Sequence, residues 1–141
     1  MLILLAACSS PPSESATTTA TAAPTTAAEF EPESVLARLR SEFRVTEVKE
    51  DLEEKASWFD RTWDLKADGN EVHIVTTYDY DSIVSWADTL KSFGSVGIYS
   101  TAEPWGIQVG NTDTGYRAKR AAYQAFAEEL AQRLPSVQVI A

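Results

Sequence analysis

The sequence predicts an α+β domain built on a small antiparallel sheet with helices on one face. Three observations carry this expectation. Alternating β-branched runs flank Asp68-Gly69-Asn70, a strong hairpin signal. Two segments further on carry apolar residues at helical spacing. Between those helical segments lie two short apolar runs separated by Glu103-Pro104.

In chain order, Pro32-Glu33-Ser34 opens a helix whose Val35, Leu36, Leu39 and Phe43 share one face. Glu31 and Glu33 suit its N-terminus, where the helix dipole favours anions. Arg44 to Val48 alternates as a short strand, and the charge-dense stretch from Lys49 to Lys55 reads as a loop or a single turn. Trp63 to Lys66 and Glu71 to Tyr78 form the hairpin. In its second strand Val72, Ile74 and Thr76 face one way and His73, Val75 and Thr77 the other. Asp81-Ser82 offers a cap for the next helix. Its stripe is Ile83, Trp86, Ala87, Leu90 and Phe93, and Gly94 ends it. Val96 to Ser100 and Trp105 to Val109 are strands. Thr112 to Leu134 is the longest helix, with Tyr116, Tyr123, Phe126, Ala127, Leu130 and Leu134 on its apolar face. Pro135 stops it, and Val137 to Ile140 forms a last strand.

From Glu71 onward the order is thus β-α-β-β-α-β, which resembles the ferredoxin-like split βαβ arrangement. The N-terminal helix and an extra hairpin strand would be added to that core.

Charge and scarce residues exclude several functions. The 141 residues carry 12 Lys and Arg against 21 Asp and Glu, a net charge of −9. Nucleic-acid binding needs basic patches for the phosphates, so no nucleic-acid partner is expected. A single Cys permits neither an internal disulfide nor a Cys-based metal site, and a single His disfavours a multi-His one. No metal or other cofactor is expected.

The first eight residues carry the most specific signal. Met1 to Ala7 is wholly apolar and ends at Cys8, followed by Ser9, Ser10 and Pro11. Leu5-Ala6-Ala7-Cys8 resembles the lipobox of bacterial lipoproteins. The resemblance implies a diacylglycerol on the Cys8 thiol, cleavage before Cys8, and acylation of the new amino terminus, for instance with palmitate. Ala6 and Ala7 are small, as the peptidase requires, and Leu5 is the branched apolar residue of the pattern. A secretory signal opens with a basic region and a longer apolar run. Neither precedes Cys8, so residues 1–7 are expected to be only part of a signal peptide whose start lies upstream. Two or more acyl chains anchor stably, at about 0.8 kcal/mol per buried CH₂. The expected location is therefore the extracytoplasmic face of the cell membrane, held through lipid at Cys8.

Ser9 to Ala28 holds six Thr, six Ala, four Ser, three Pro and one Glu. With no large apolar side chain, it cannot offset its ordering entropy, and residues 8–28 are read as a lipidated Cys and a disordered tether. A coil of this length reaches on the order of 25 Å, and about 60 Å when extended. Residues 29–141 then form one globular α+β domain containing all the large aromatic side chains.

No catalytic set is legible. His73 has no acid beside it in sequence, and a strand-face histidine is ordinarily structural or exposed. Asn111-Thr-Asp113-Thr-Gly115 has the front of a calcium loop, but Ala122 stands where its acidic ligand belongs. Asp79-Tyr80-Asp81 likewise fits a turn or cap. The acidic stretch from Glu47 to Glu54 reads as a solvated face, with attraction of a cationic partner as the alternative. The aromatics are the domain's most unusual feature. Trp58, Trp63, Tyr78, Tyr80, Tyr99 and Trp105 are a candidate binding surface, against the ordinary reading that such rings fill the core. The leading expectation is an envelope lipoprotein, not an enzyme, whose domain binds an envelope protein or glycan. The alternatives are a phage- or prophage-encoded superinfection-exclusion lipoprotein and a small hydrolase pairing Asp79 or Asp81 with His73.

Overall fold

The computed structural model describes residues 30–52, 58–110 and 115–141. Cys8, the lipobox and the tether lie outside the described residues, as do the segments 53–57 and 111–114. The elements are α1 (Glu33–Glu42), β1 (Val45–Glu50), β2 (Phe59–Ala67), β3 (Asn70–Thr77), α2 (Tyr80–Ser92), β4 (Val96–Ser100), β5 (Trp105–Val109), α3 (Tyr116–Arg133) and β6 (Val137–Ile140). The described strands form one six-stranded sheet in the order β1-β2-β3-β5-β4-β6, with every neighbouring pair antiparallel. The fold is α+β, as the sequence predicts.

The hairpin sets the register of the first half. Asp68 and Gly69 both adopt positive φ, 49° and 82°, which a two-residue turn matched to strand twist requires. Ala67 then pairs with Asn70, and every pair down to Thr62 with Val75 follows by counting. β1 extends the sheet on the outer side of β2. It continues to Glu50, beyond the expected end at Val48, through a bulge between Thr46 and Lys49 where Glu47 has φ 56°.

β3, α2 and β4 form the expected split unit, with β5 inserted between the two strands. The end of the chain departs from the ferredoxin-like order. There the last strand would lie beside β3; here β6 pairs with β4, Ile98 opposite Val139. The reason is steric: the hairpin already places β2 on the outer side of β3.

Helices on a single face are also corrected. Val72, Ile74, Ile98 and Ile107 pack with Val35, Leu36 and Leu39 of α1 and Phe126, Ala127 and Leu130 of α3. Val75, on the other face of β3, packs with Ile83, Trp86, Ala87 and Leu90 of α2 and with Ile140. The sheet is therefore sandwiched between α1 with α3 and α2. Gly106 admits this packing, because the Trp86 ring lies directly on its backbone.

Local signals place the helix ends. Asp79, rather than Asp81, caps α2, its Oδ1 accepting from the Ser82 amide at 2.8 Å. Gly94, at φ 73°, turns the chain out of that helix. Phe93, expected in the buried stripe, follows the last helical residue and is 79 % exposed. The expected caps of α3 at Thr112 and Asp113 lie outside the described residues. Among the described residues no helix is long and apolar enough to cross a membrane.

Candidate functional site

The proposed aromatic surface divides by strand parity and by position along the strands. Trp63 and Trp105 are core residues, 2 % and 0 % exposed, and do not belong to a surface. Trp63 shares the inward parity of Leu65 and Ala67 in β2. The Arg61 guanidinium lies 4.7 Å from the Trp63 ring centroid, a cation–π contact. Arg61 is itself held by Glu50 at 2.6 Å and Glu33 at 2.8 Å, and these hydrogen bonds drive its pKa above its ordinary value. Trp105 lies in the same core cluster as the buried face of α1, and its indole N–H points at the Glu103 oxygen that pairs with Arg38 at 2.6 Å. The Arg38 hydrogen bond holds the Glu103 carboxyl below the usual glutamate range.

The other predicted aromatics do reach the surface. Trp58 is 55 % and Tyr78 57 % exposed; Tyr80 is exposed and Tyr99 half-buried. The pairing of Phe59 with Thr77 puts Trp58 and Tyr78 one residue further out at the same end of the sheet. Tyr80 begins α2 directly beside them. Burial, and then the charges of Tyr99 and Asp81, raise the Tyr80 hydroxyl pKa. The Tyr99 hydroxyl donates to Gln138 Oε1 at 3.1 Å. The structure thus gathers Trp58, Tyr78 and Tyr80 at one end, with Tyr99 at their margin.

Among the described residues the charges at this end are mostly acidic. Asp60, Asp79 and Asp81 flank the three exposed rings in the chain. Backbone and side-chain hydrogen bonds from Ser82 lower the Asp79 pKa, so it stays ionised. The chain enters the domain here too, since Glu33 at the start of α1 contacts Arg61 near the beginning of β2.

A second feature escaped sequence reasoning. On its face α2 covers Val75 but leaves the hairpin end of β2 and β3 open, and a cleft of about 560 Å³ lies there. Its lining includes Glu47, Lys49, Asp64, Lys66, His73 and Gln108. The register sets Asp64 opposite His73, and His73 Nδ1 lies 2.8 Å from Asp64 Oδ1. The signal was present: counting back from the Asp68-Gly69 turn pairs these two positions. Lys66 pairs with Glu47 at 2.9 Å across the bulge, and that hydrogen bond raises the lysine pKa. An imidazole oriented by a carboxylate is one half of a nucleophilic apparatus. No Ser, Thr or Cys is among the described residues lining the cleft. The earlier pairing of His73 with Asp79 or Asp81 is corrected. Asp79 lies six residues beyond His73, past the end of β3, which at strand rise is on the order of 20 Å.

Among the described residues no group of three His, Cys, Asp or Glu is arranged to hold a metal ion. Comparisons of the chain with protein families, curated proteins and solved structures find no match.

Proposed function

We propose that the chain is a lipid-anchored binding protein of the cell envelope. Its domain recognises an envelope protein or glycan through Trp58, Tyr78 and Tyr80 and performs no chemistry. The observation that carries the reading is the exposure of these three rings together at one end of the sheet. Large aromatic side chains bury much area for few rotatable bonds, and they dominate binding hot spots. The lipobox-like Leu5-Ala6-Ala7-Cys8 and the Thr/Ala-rich tether support placement outside the cytoplasm on a lipid.

Two measurements test this. Metabolic labelling with a fatty-acid probe should mark the wild-type protein and not a Cys8→Ser variant; equal labelling removes the anchor. A photoreactive residue at position 78 should crosslink the protein to an envelope component in intact cells, and the same residue at position 117 on α3 should not. Crosslinking from both positions, or from neither, counts against a binding surface at this end.

A further inference from the structure

The aromatic end carries information about the kind of partner it meets. Trp58, Tyr78 and Tyr80 are interleaved with Asp60, Asp79 and Asp81. Nearby, Glu31 is exposed at the start of α1. Arg61 and Arg38 are already engaged, the first by Glu50 and Glu33 and the second by Glu103. The described charges at this end therefore make a negative field around rings whose faces attract cations.

We infer that this end is a docking face for a Lys/Arg-rich segment of a second envelope protein. The inference rests on the reading of the domain as a binding module and names the partner's chemistry. Guanidinium and ammonium groups would stack on Trp58 and Tyr78 while pairing with Asp60 and Asp81. Contacts of this type combine cation–π attraction with charge-assisted hydrogen bonds. The bilayer is the rival occupant, since the chain enters the domain at this end and Trp and Tyr favour membrane interfaces. The charge decides between them, because anionic headgroups repel an acidic face.

The test is a titration of the isotope-labelled full chain, followed by nuclear magnetic resonance, with three probes. These are a short Lys/Arg-rich peptide, a Glu-rich peptide of equal length, and phosphatidylcholine–phosphatidylglycerol vesicles. The basic peptide should shift the Trp58 indole and the Tyr78 and Tyr80 amides first. Combined Trp58→Ala and Tyr78→Ala changes should weaken it about tenfold or more, as should Asp60→Asn with Asp81→Asn. Affinity should fall as salt rises. Two results overturn the inference: shifts centred on the Glu47 and Glu71 side of the molecule, or affinity indifferent to the aromatic changes. If vesicles move the aromatic residues and the basic peptide does not, the partner class is wrong while the binding surface stands. If no probe moves them and position 78 also gives no crosslink in cells, the binding reading itself fails.

Discussion

Replacing Gly106 by alanine tests the two-sided architecture at its tightest contact. Gly106 sits in β5 between Trp105 and Ile107, on the opposite face from both, and the Trp86 ring of α2 covers it. A methyl group at position 106 would overlap Cζ3 and Cε3 of that ring. The ring has little room to withdraw, because Trp86 is buried among Val75, Ile83, Leu90 and Ile140. Overpacking of this kind costs about 1–3 kcal/mol. At roughly 4–8 °C per kcal/mol, Tm should fall by about 5–20 °C. Trp86→Leu alone also destabilises, by leaving a cavity. In the double variant the methyl group occupies part of the vacated space. The combined loss should therefore be smaller than the sum by about 0.5–3 kcal/mol. Gly94→Ala is the control, with positive φ but open space, and should cost about 1 kcal/mol whatever stands at position 86. Urea denaturation followed by circular dichroism reads all of these. An additive double variant, or a Gly106→Ala loss under about 0.5 kcal/mol, would refute the placement of α2 on this face.

Trp58→Ala should change stability by less than about 0.5 kcal/mol, while Trp105→Ala should cost about 3–5 kcal/mol; similar losses in urea denaturation would contradict the division of the aromatics. Glu103→Gln should cost roughly 1 kcal/mol at neutral pH, allowing for partial exposure of the Arg38 pair. Because the folded carboxyl titrates below its ordinary range, that advantage is present above the unfolded pKa and lost as pH falls through the folded one. Wild-type and variant Tm curves should converge from about pH 5 downward, and a constant offset would show that the ion pair does not lower this pKa. Asp79→Ala should cost about 1 kcal/mol and Asp79→Ser much less, with faster amide exchange in the first turn of α2 for the alanine variant only. His73→Ala should leave position-78 crosslinking unchanged, and its loss would move the binding surface to the cleft.

The fold was more legible in the sequence than the ferredoxin-like comparison allowed. β4 and β5 fall where the short apolar runs between α2 and α3 predict. The topology also followed from constraints already visible. A two-residue hairpin must place β2 beside β3, which leaves the last strand only the outer side of β4. β3 to β4 and β5 to β6 then step across the sheet in the same direction. Since β3 and β5 run antiparallel, connections of one hand must pass over opposite faces. α2 and α3 are thus separated by the same turn that sets the hairpin. Local helical stripes could not show this, because a stripe records that a face is buried and not against which side of a sheet.

The candidate site was legible in part, for a related reason. Composition placed six aromatics in one candidate surface, yet their fates depend on parity and position. Trp63 alternates with Leu65 and Ala67, and Trp105 with Ile107 and Val109, so both turn inward. Trp58 and Tyr78 stand one residue past the last paired positions, where the alternation of a sheet no longer commits a side chain to the core. Asp64 and His73 show the converse. They are nine residues apart in sequence, and only the register brings them within 2.8 Å. A one-residue slip would send both to the other face, into a layer packed with apolar side chains that has no solvent for an aspartate. The burial of Trp63 and Leu65 on that face therefore also holds Asp64 and His73 at the open cleft. Destabilising the turn with Gly69→Ala, at φ 82°, should weaken the Asp64–His73 contact before it disturbs the distant end that carries Trp58 and Tyr78. A histidine Nδ1 resonance unchanged by that substitution, in a chain whose aromatic end has loosened, would show that the register is set elsewhere than at the hairpin.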